Sequence, residues 1–354
     1  MSGLSKQFHL PWHQNPHYWL TLYPVSGPFI GDIAQLLMRA GAKDIADGGM
    51  ALRTGQQWKA VWDVLRNGLM GIDALEQVQV SLTYGDQAPY TRAEAGCQSA
   101  AAIQNIAEGM WLGEALLEGR VMCYLQPVHS SKERVFGYES FARVREQDGR
   151  IIGGDKIVEA SKALGIEYVI DRHLQMEAIK TFAASEFNGF LFVNFFPGFI
   201  HRPAVYLEGL SEAAKQYGII SKHIVLEFTN SERPRDLTHV KNVCDYGRSK
   251  GYSVALDDLS TLDVAQKLVG ETRPDFVKID MHLVQQVVDV PSARDIITSL
   301  VQVVHGAGGT IIAEGVETET VYHALRALGV DLFQGYYFAP PSPVDVALKR
   351  NAAS

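Results

Sequence analysis

Seven short apolar runs in the later two thirds of the chain end in a side chain that can hold a cation or move a proton. They are Val135-Phe-Gly-Tyr-Glu139, Phe190-Leu-Phe-Val-Asn194, His223-Ile-Val-Leu-Glu227, Ser253-Val-Ala-Leu-Asp257-Asp258, Asp275-Phe-Val-Lys278-Ile-Asp280, Thr310-Ile-Ile-Ala-Glu314 and Leu332-Phe-Gln334. One acid at the end of a strand is ordinarily a loop or cap residue. Seven such ends in successive runs point instead to one shared site. Carboxylates and amides without paired Cys or His make a hard oxygen site, suited to Mg²⁺ or Mn²⁺ rather than Zn²⁺. Left unneutralised, these carboxylates would repel one another and take up protons. Adjacent Asp257 and Asp258 can face two metals, or a metal and a water, a natural setting for two-metal attack on a phosphate ester. Lys278 is placed to steer a water or to stabilise developing charge. Asp280 and Glu317 read either as braces behind the ligands or as salt-bridge partners.

The elements that must position this set follow from the spacing. Apolar runs alternating with helical segments predict mostly parallel strands joined by crossover helices, and about 230 residues suit a (β/α)8 barrel, whose active sites gather at the strand ends of one face. The expected organisation is α/β throughout. Residues 1–95 form a small α/β N-terminal domain of sensory or regulatory role, 96–111 a linker helix, and 112–348 the barrel. In the first domain the pattern predicts an aromatic strand near His17 to Val25, helices near Ile30 to Ala40 and Gln57 to Leu69, and a strand near Gln77 to Tyr84. All five tryptophans lie in the first third, and Trp58 and Trp62, spaced i, i+4, share a helix face that reads as core or docking surface. Gly153-Gly154-Asp155 reads as a loop inside the barrel and not as part of a cyclase motif.

Composition narrows the classes. The chain has 354 residues, 47% hydrophobic and 20% charged, which excludes disorder as its main state. Lys and Arg total 32 against 40 Asp and Glu, and the net charge of -8 offers no broad cationic surface for duplex nucleic acid or anionic lipid. Cys97, Cys123 and Cys244 are far apart and suggest neither a disulfide framework nor a zinc cluster. No apolar stretch of about 20 residues suggests membrane insertion, and a cytoplasmic location is expected.

At the strand-end residues the sequence resembles the EAL domain family, bacterial phosphodiesterases that open cyclic di-GMP to linear pGpG, over roughly Leu112 to Val344. Glu139-Ser-Phe-Ala-Arg143 stands where that family has its Glu-Ala-Leu tripeptide and a following Arg, and Tyr124-Leu-Gln126-Pro127 matches the preceding strand. Phe192-Val-Asn194, Val225-Leu-Glu227, Ala255-Leu-Asp257-Asp258, Val277-Lys278-Ile-Asp280, Ala313-Glu314-Gly-Val-Glu317 and Gln334-Gly-Tyr follow in family order. The resemblance implies a modified barrel whose first strand runs antiparallel, with two ions, Mg²⁺ or Mn²⁺, above it. It implies that Glu139, Asn194, Glu227 and Asp257 bind metal, that Asp258 bridges to the second ion, and that Lys278 holds or deprotonates the attacking water. Glu314 and Gln334 would complete the metal and water shell, and Gln126 and Arg143 would contact the dinucleotide. A homodimer is implied as well, with room for a protein partner on the N-terminal domain.

Three departures bear on activity. Ser140 and Phe141 replace the Ala and Leu of the tripeptide. Leu259-Ser260-Thr261-Leu262 stands where the family usually has Phe-Gly-Thr-Gly, so both glycines of that segment are lost. Asn230 stands where active members commonly have a Glu. The metal ligands and the lysine are retained, so the expected activity is metal-dependent hydrolysis of cyclic di-GMP, slow or regulated by the N-terminal domain. The alternative is a catalytically inactive receptor for that nucleotide, or a protein-interaction regulator.

Overall fold

The computed structural model describes residues 18–25, 31–45, 48–54, 57–70, 78–84, 98–185, 187–195, 203–228 and 237–351. They fall into two compact units, one drawn from 1–120 with 155–167 and the other from 121–154 with 168–354.

The first unit is an antiparallel sheet backed by helices. Its strands are β1 (Tyr18–Pro24), β2 (Lys43–Asp44), β3 (Met50–Arg53), β4 (Val78–Tyr84) and β5 (Gln98–Ser99), in the order β2-β3-β1-β4-β5. The helices are α1 (Gly31–Arg39), α2 (Trp58–Met70) and α3 (Ala100–Leu117). Alternate residues of the strands, Leu20 and Leu22, Met50 and Leu52, Val78 and Val80, pack on Ile33 and Leu37, on Trp62, Leu65 and Leu69, and on Ile103, Ala107 and Met110. The buried Trp62 indole N–H donates to Gln104 Oε1 at 2.9 Å, so its polar edge is satisfied. The side chain of Trp58 lies outside the described residues. Strands β2, β3 and β5 are absent from the sequence reading. The Met-Ala-Leu-Arg of β3 consists of good helix formers, and it is strand because its backbone pairs with β1 along Met50 to Arg53. Gly153 is irregular and falls in the barrel unit, as expected of a loop there, but Gly154 already opens helix α4 (Gly154–Leu164), and Asp155–Glu167 groups with the first unit.

The second unit is a closed barrel. Strands β6 (Val121–Ser130), β7 (Val135–Arg145), β9 (Phe190–Phe195), β10 (Ile224–Phe228), β11 (Ser253–Leu259), β12 (Phe276–Ile279), β13 (Thr310–Ala313) and β14 (Leu332–Phe333) follow one another around it, and β6 pairs with β7 to close the ring. The two-residue β8 (Ile151–Ile152) pairs with β7 outside the ring. Strand β6 is antiparallel to both β7 and β14, and every other pair in the ring is parallel. This is the TIM-like α/β barrel that the strand and helix alternation predicts, with the reversed first strand that the family resemblance implies. Crossover helices include α5 (Glu167–Ala183), α6 (Pro203–Gln216), α7 (Leu237–Ser249), α8 (Leu262–Thr272), α9 (Met281–Gln285), α10 (Pro291–Gly306) and α11 (Glu319–Ala327), and α12 (Val344–Asn351) follows the last strand. Among the described residues no helix is long and apolar enough to cross a membrane.

The barrel floor is a layer of Val128, Phe192, Val225, Ala255, Phe276, Ile312 and Leu332. Phe136 and Phe190 stack beside it with centroids 4.7 Å apart. Gly137 is needed here, because a Cβ at that position would lie 2.6 Å from the Phe190 carbonyl oxygen.

On the outer side, Asp171 of α5 is buried and accepts a hydrogen bond from Gln175 Nε2 at 3.0 Å, while the same amide donates to the Tyr206 hydroxyl at 2.7 Å. Burial pushes this carboxyl up to about 8. Between its ordinary pKa near 4 and that value, the unfolded chain releases a proton that the folded chain keeps, so stability falls as pH rises through this window. The variant D171N removes that slope. Unfolding by denaturant should show D171N gaining about 1–3 kcal/mol over wild type at pH 7.5 and little at pH 4; parallel pH profiles would refute the assignment.

Candidate active site

Side chains on a strand alternate between faces, so the residue two places from a floor residue points to the same axis one layer higher. Applied to each parallel strand, the step leads from Gly137 to Glu139, Phe192 to Asn194, Val225 to Glu227, Ala255 to Asp257, Phe276 to Lys278, Ile312 to Glu314 and Leu332 to Gln334. On the reversed β6 the step runs backwards, from Val128 to Gln126. Eight strands therefore deliver eight polar side chains to one layer, and the hydrogen bonds confirm their convergence.

Lys278 is the centre. Its ammonium is fully buried and lies 2.8 Å from Glu139 Oε2, 2.6 Å from Glu227 Oε1 and 3.8 Å from Asp257 Oδ1, with Glu314 Oε1 also in contact. Glu139 is held by two amides as well: Asn194 Nδ2 donates to Oε1 at 3.2 Å and Gln334 Nε2 to Oε2 at 2.6 Å. Gln334 Nε2 also donates to Gln126 Oε1 at 3.0 Å, and Gln126 Nε2 to the Ala339 carbonyl at 2.9 Å.

Four carboxylates around one ammonium leave a large excess of negative charge in a dry place. Burial, and after it the Glu139 carboxylate, pushes Glu227 well above the usual carboxylate range; burial does the same to Glu314 and raises Asp257 to about 6. For Lys278 burial works against the charge, but the surrounding carboxylates outweigh it and hold the ammonium well above lysine's ordinary range. The donor set fits hard divalent cations. Carboxylate oxygens of Glu139, Glu227 and Glu314 lie within 4.8 Å of one another, and so do those of Asp257, Asp258 and Glu314. Glu227 Oε2 and Gln334 Oε1 are buried acceptors with no hydrogen-bond partner among the described residues, which is the condition of groups waiting for a cation or a water.

Asp257 and Asp258 share this site although neighbours on a strand point opposite ways. The pairing of β11 with β12 shifts register between Leu256 and Leu259, and Asp258 takes φ 58° there, its N–H donating to Asp257 Oδ1 at 2.9 Å. An irregularity of this kind re-aims a side chain at the rim of a barrel.

Other expected residues stand apart. Asp280 caps α9, its Oδ1 accepting from the His282 and Leu283 amides at 2.9 and 3.3 Å. Glu317 is exposed and accepts from Gln285 Nε2 at 3.1 Å. Arg143 lies four residues beyond Glu139 on β7, above the rings of Tyr124 and Phe141. Ser140 donates to the Phe192 carbonyl at 3.3 Å. Asn230 lies outside the described residues. The sequence reading misses Ala339, whose carbonyl orients Gln126, and Gly335, whose backbone runs against Val316. Only the glycine after Gln334 signals the second.

A closed barrel of this type, with a cluster of acids and amides around a lysine at the strand ends, defines the class structurally. Residues 110–341 match the family model described as EAL domain, about two thirds of the chain, and the chain belongs to that family. The cyclic di-GMP phosphodiesterase PdeL of Escherichia coli (strain K12) is 25% identical over 227 residues, covering 62% of this chain and 62% of that protein. The cyclic di-GMP phosphodiesterase PA2567 of Pseudomonas aeruginosa is 29% identical over 136 residues, 38% of this chain and 23% of that protein. The chain thus spans less than two thirds of the length of these curated relatives. A standalone EAL protein from Vibrio cholerae O395, solved in a form bound to cyclic di-GMP, is 27% identical with a TM-score of 0.54, covering 63% of this chain and 92% of that one.

Proposed function

We propose that the barrel hydrolyses cyclic di-GMP to linear pGpG with Mg²⁺ or Mn²⁺. The observation that carries this reading is the unbroken ring of Glu139, Asn194, Glu227, Asp257 and Glu314 around Lys278 at the strand ends. Glu139, Asn194, Glu227 and Asp257 would hold one ion, and Asp258 and Glu314, next to Asp257, would hold a second. Bound there, the ions would acidify a water and stabilise charge on the leaving oxygen. Lys278, kept protonated by the carboxylates around it, holds the attacking water through an N–H, and Gln334 presents an amide oxygen to the same water. Gln126 and Arg143 contact the dinucleotide on the face of β6 and β7. Turnover in purified protein should vanish in EDTA and return with Mn²⁺ or Mg²⁺; turnover that EDTA leaves unchanged would overturn the metal assignment.

A second reading, a receptor that binds cyclic di-GMP without turnover, draws on the segment after Asp258. Leu262, at the second glycine position of the family pattern, packs on the apolar core that buries Leu259, so a side chain anchors the segment where that pattern has a flexible glycine. Binding without product in either metal would favour it.

A further inference from the structure

The residue two places after Glu139 is Phe141, and it changes the surface above the carboxylates. In the β6–β7 pairing Gln126 is opposite Glu139, Tyr124 opposite Phe141 and Met122 opposite Arg143. These rungs alternate onto the same face of the two strands, each about 7 Å beyond the last. The strip therefore continues the wall of the site upward, from the carboxylate layer to an aromatic rung and then to a cation. The Arg143 guanidinium carbon lies 5.6 Å from the Tyr124 ring centroid and 5.7 Å from that of Phe141, and Nη1 donates to the Ala142 carbonyl at 2.7 Å. All three side chains are half-buried. Two π faces at this range attract a guanidinium, more strongly as water is excluded.

A leucine at position 141 would supply packing but no π face. The guanidinium would then lose one of its two π contacts and be held less firmly, so that more of its ordering would fall to the arrival of a ligand, at a cost in affinity. The planar fork of a pre-ordered arginine matches two oxygens of a phosphate. We infer that Phe141 is a positioning residue: with Tyr124 it holds the Arg143 guanidinium two rungs above the carboxylate layer, ready for a phosphate of the cyclic dinucleotide other than the one being cut. This rests on the phosphodiesterase or receptor reading of the same site. It gives the departure from the family tripeptide a role in substrate affinity, and it leaves the chemistry at Lys278 untouched.

The test is a double-mutant cycle on the full chain. Cyclic di-GMP is titrated calorimetrically in EDTA into wild type, F141L, F141Y, R143A and the F141L/R143A double variant, and kcat and KM are measured with Mn²⁺. The inference expects F141L to bind about 3- to 10-fold more weakly, F141Y to bind like wild type, and R143A to mask the loss from F141L. It expects KM to rise in F141L with kcat within about twofold, since the contact is made in ground and transition states alike. Equal binding by F141L, or losses that multiply in the double variant, would overturn it. Wild type that neither binds nor hydrolyses the nucleotide would overturn the functional reading, and this inference with it.

Discussion

The variant K278M should lose turnover by a factor of about 10²–10⁴ and be destabilised by ~3 kcal/mol or more in EDTA. Among the described residues the ammonium is the one positive charge inside a ring made of Glu139, Glu227, Asp257 and Glu314, and it is fully buried. Methionine has nearly the same volume, so the packing of β12 is preserved and the charge alone is removed. Four carboxylates then face one another without a neutralising partner, and removing one member of a buried ion pair typically costs 3–5 kcal/mol. Protonation would absorb part of that cost, since burial already pushes Glu227 and Glu314 up. Divalent cations should therefore restore much of the melting temperature of K278M while leaving turnover low. A variant as stable as wild type in EDTA, or one that turns over normally, would contradict the assignment of Lys278 to both roles.

The second large effect is expected from Gly335. A Cβ there would come within 2.6 Å of the Val316 carbonyl carbon and closer still to the Val316 amide nitrogen and carbonyl oxygen. The obstacle is backbone, which cannot rotate away as a side chain would. Two hydrogen bonds hold this crossing, from the Val316 amide to the Gln334 carbonyl at 3.0 Å and from the Tyr337 amide to the Val316 carbonyl at 2.9 Å. The variant G335A must push apart the two segments that follow β13 and β14 and move Gln334, which donates to both Glu139 and Gln126. Denaturant unfolding should show a loss of about 3–5 kcal/mol, and turnover should fall at least tenfold. A change below about 1 kcal/mol would show that the crossing is looser than described.

The ring itself was legible in the sequence because two signals coincide there. Each apolar run is short and ends in a polar residue, and the period of two carries that residue from the packed floor to the open layer. Gln126 needed more, since its strand is reversed and its floor residue, Val128, follows it. The resemblance to the family supplied that reversal. Asp257 and Asp258 could be named as a pair, but alternation alone would send one of them outward. Their meeting depends on the register shift before Leu259, which leaves no mark in residue type. Asp280 was open between brace and salt bridge because a helix cap at a strand end has the same residue type as a ligand, and only the amides of His282 and Leu283 decide it. In the first unit β3 was missed for a related reason: its four helix-forming residues become strand through pairing with distant β1, which local propensity does not contain.

The most direct measurement is product formation from cyclic di-GMP. Protein comprising all 354 residues is incubated with the nucleotide and Mg²⁺ or Mn²⁺, pGpG is followed by chromatography, and E139A serves as the blank, with nucleotide binding checked in the same samples. Wild type should form pGpG and E139A none. Bound nucleotide without product would leave a receptor in place of an enzyme, and the absence of both binding and product would contradict any cyclic di-GMP function of the barrel.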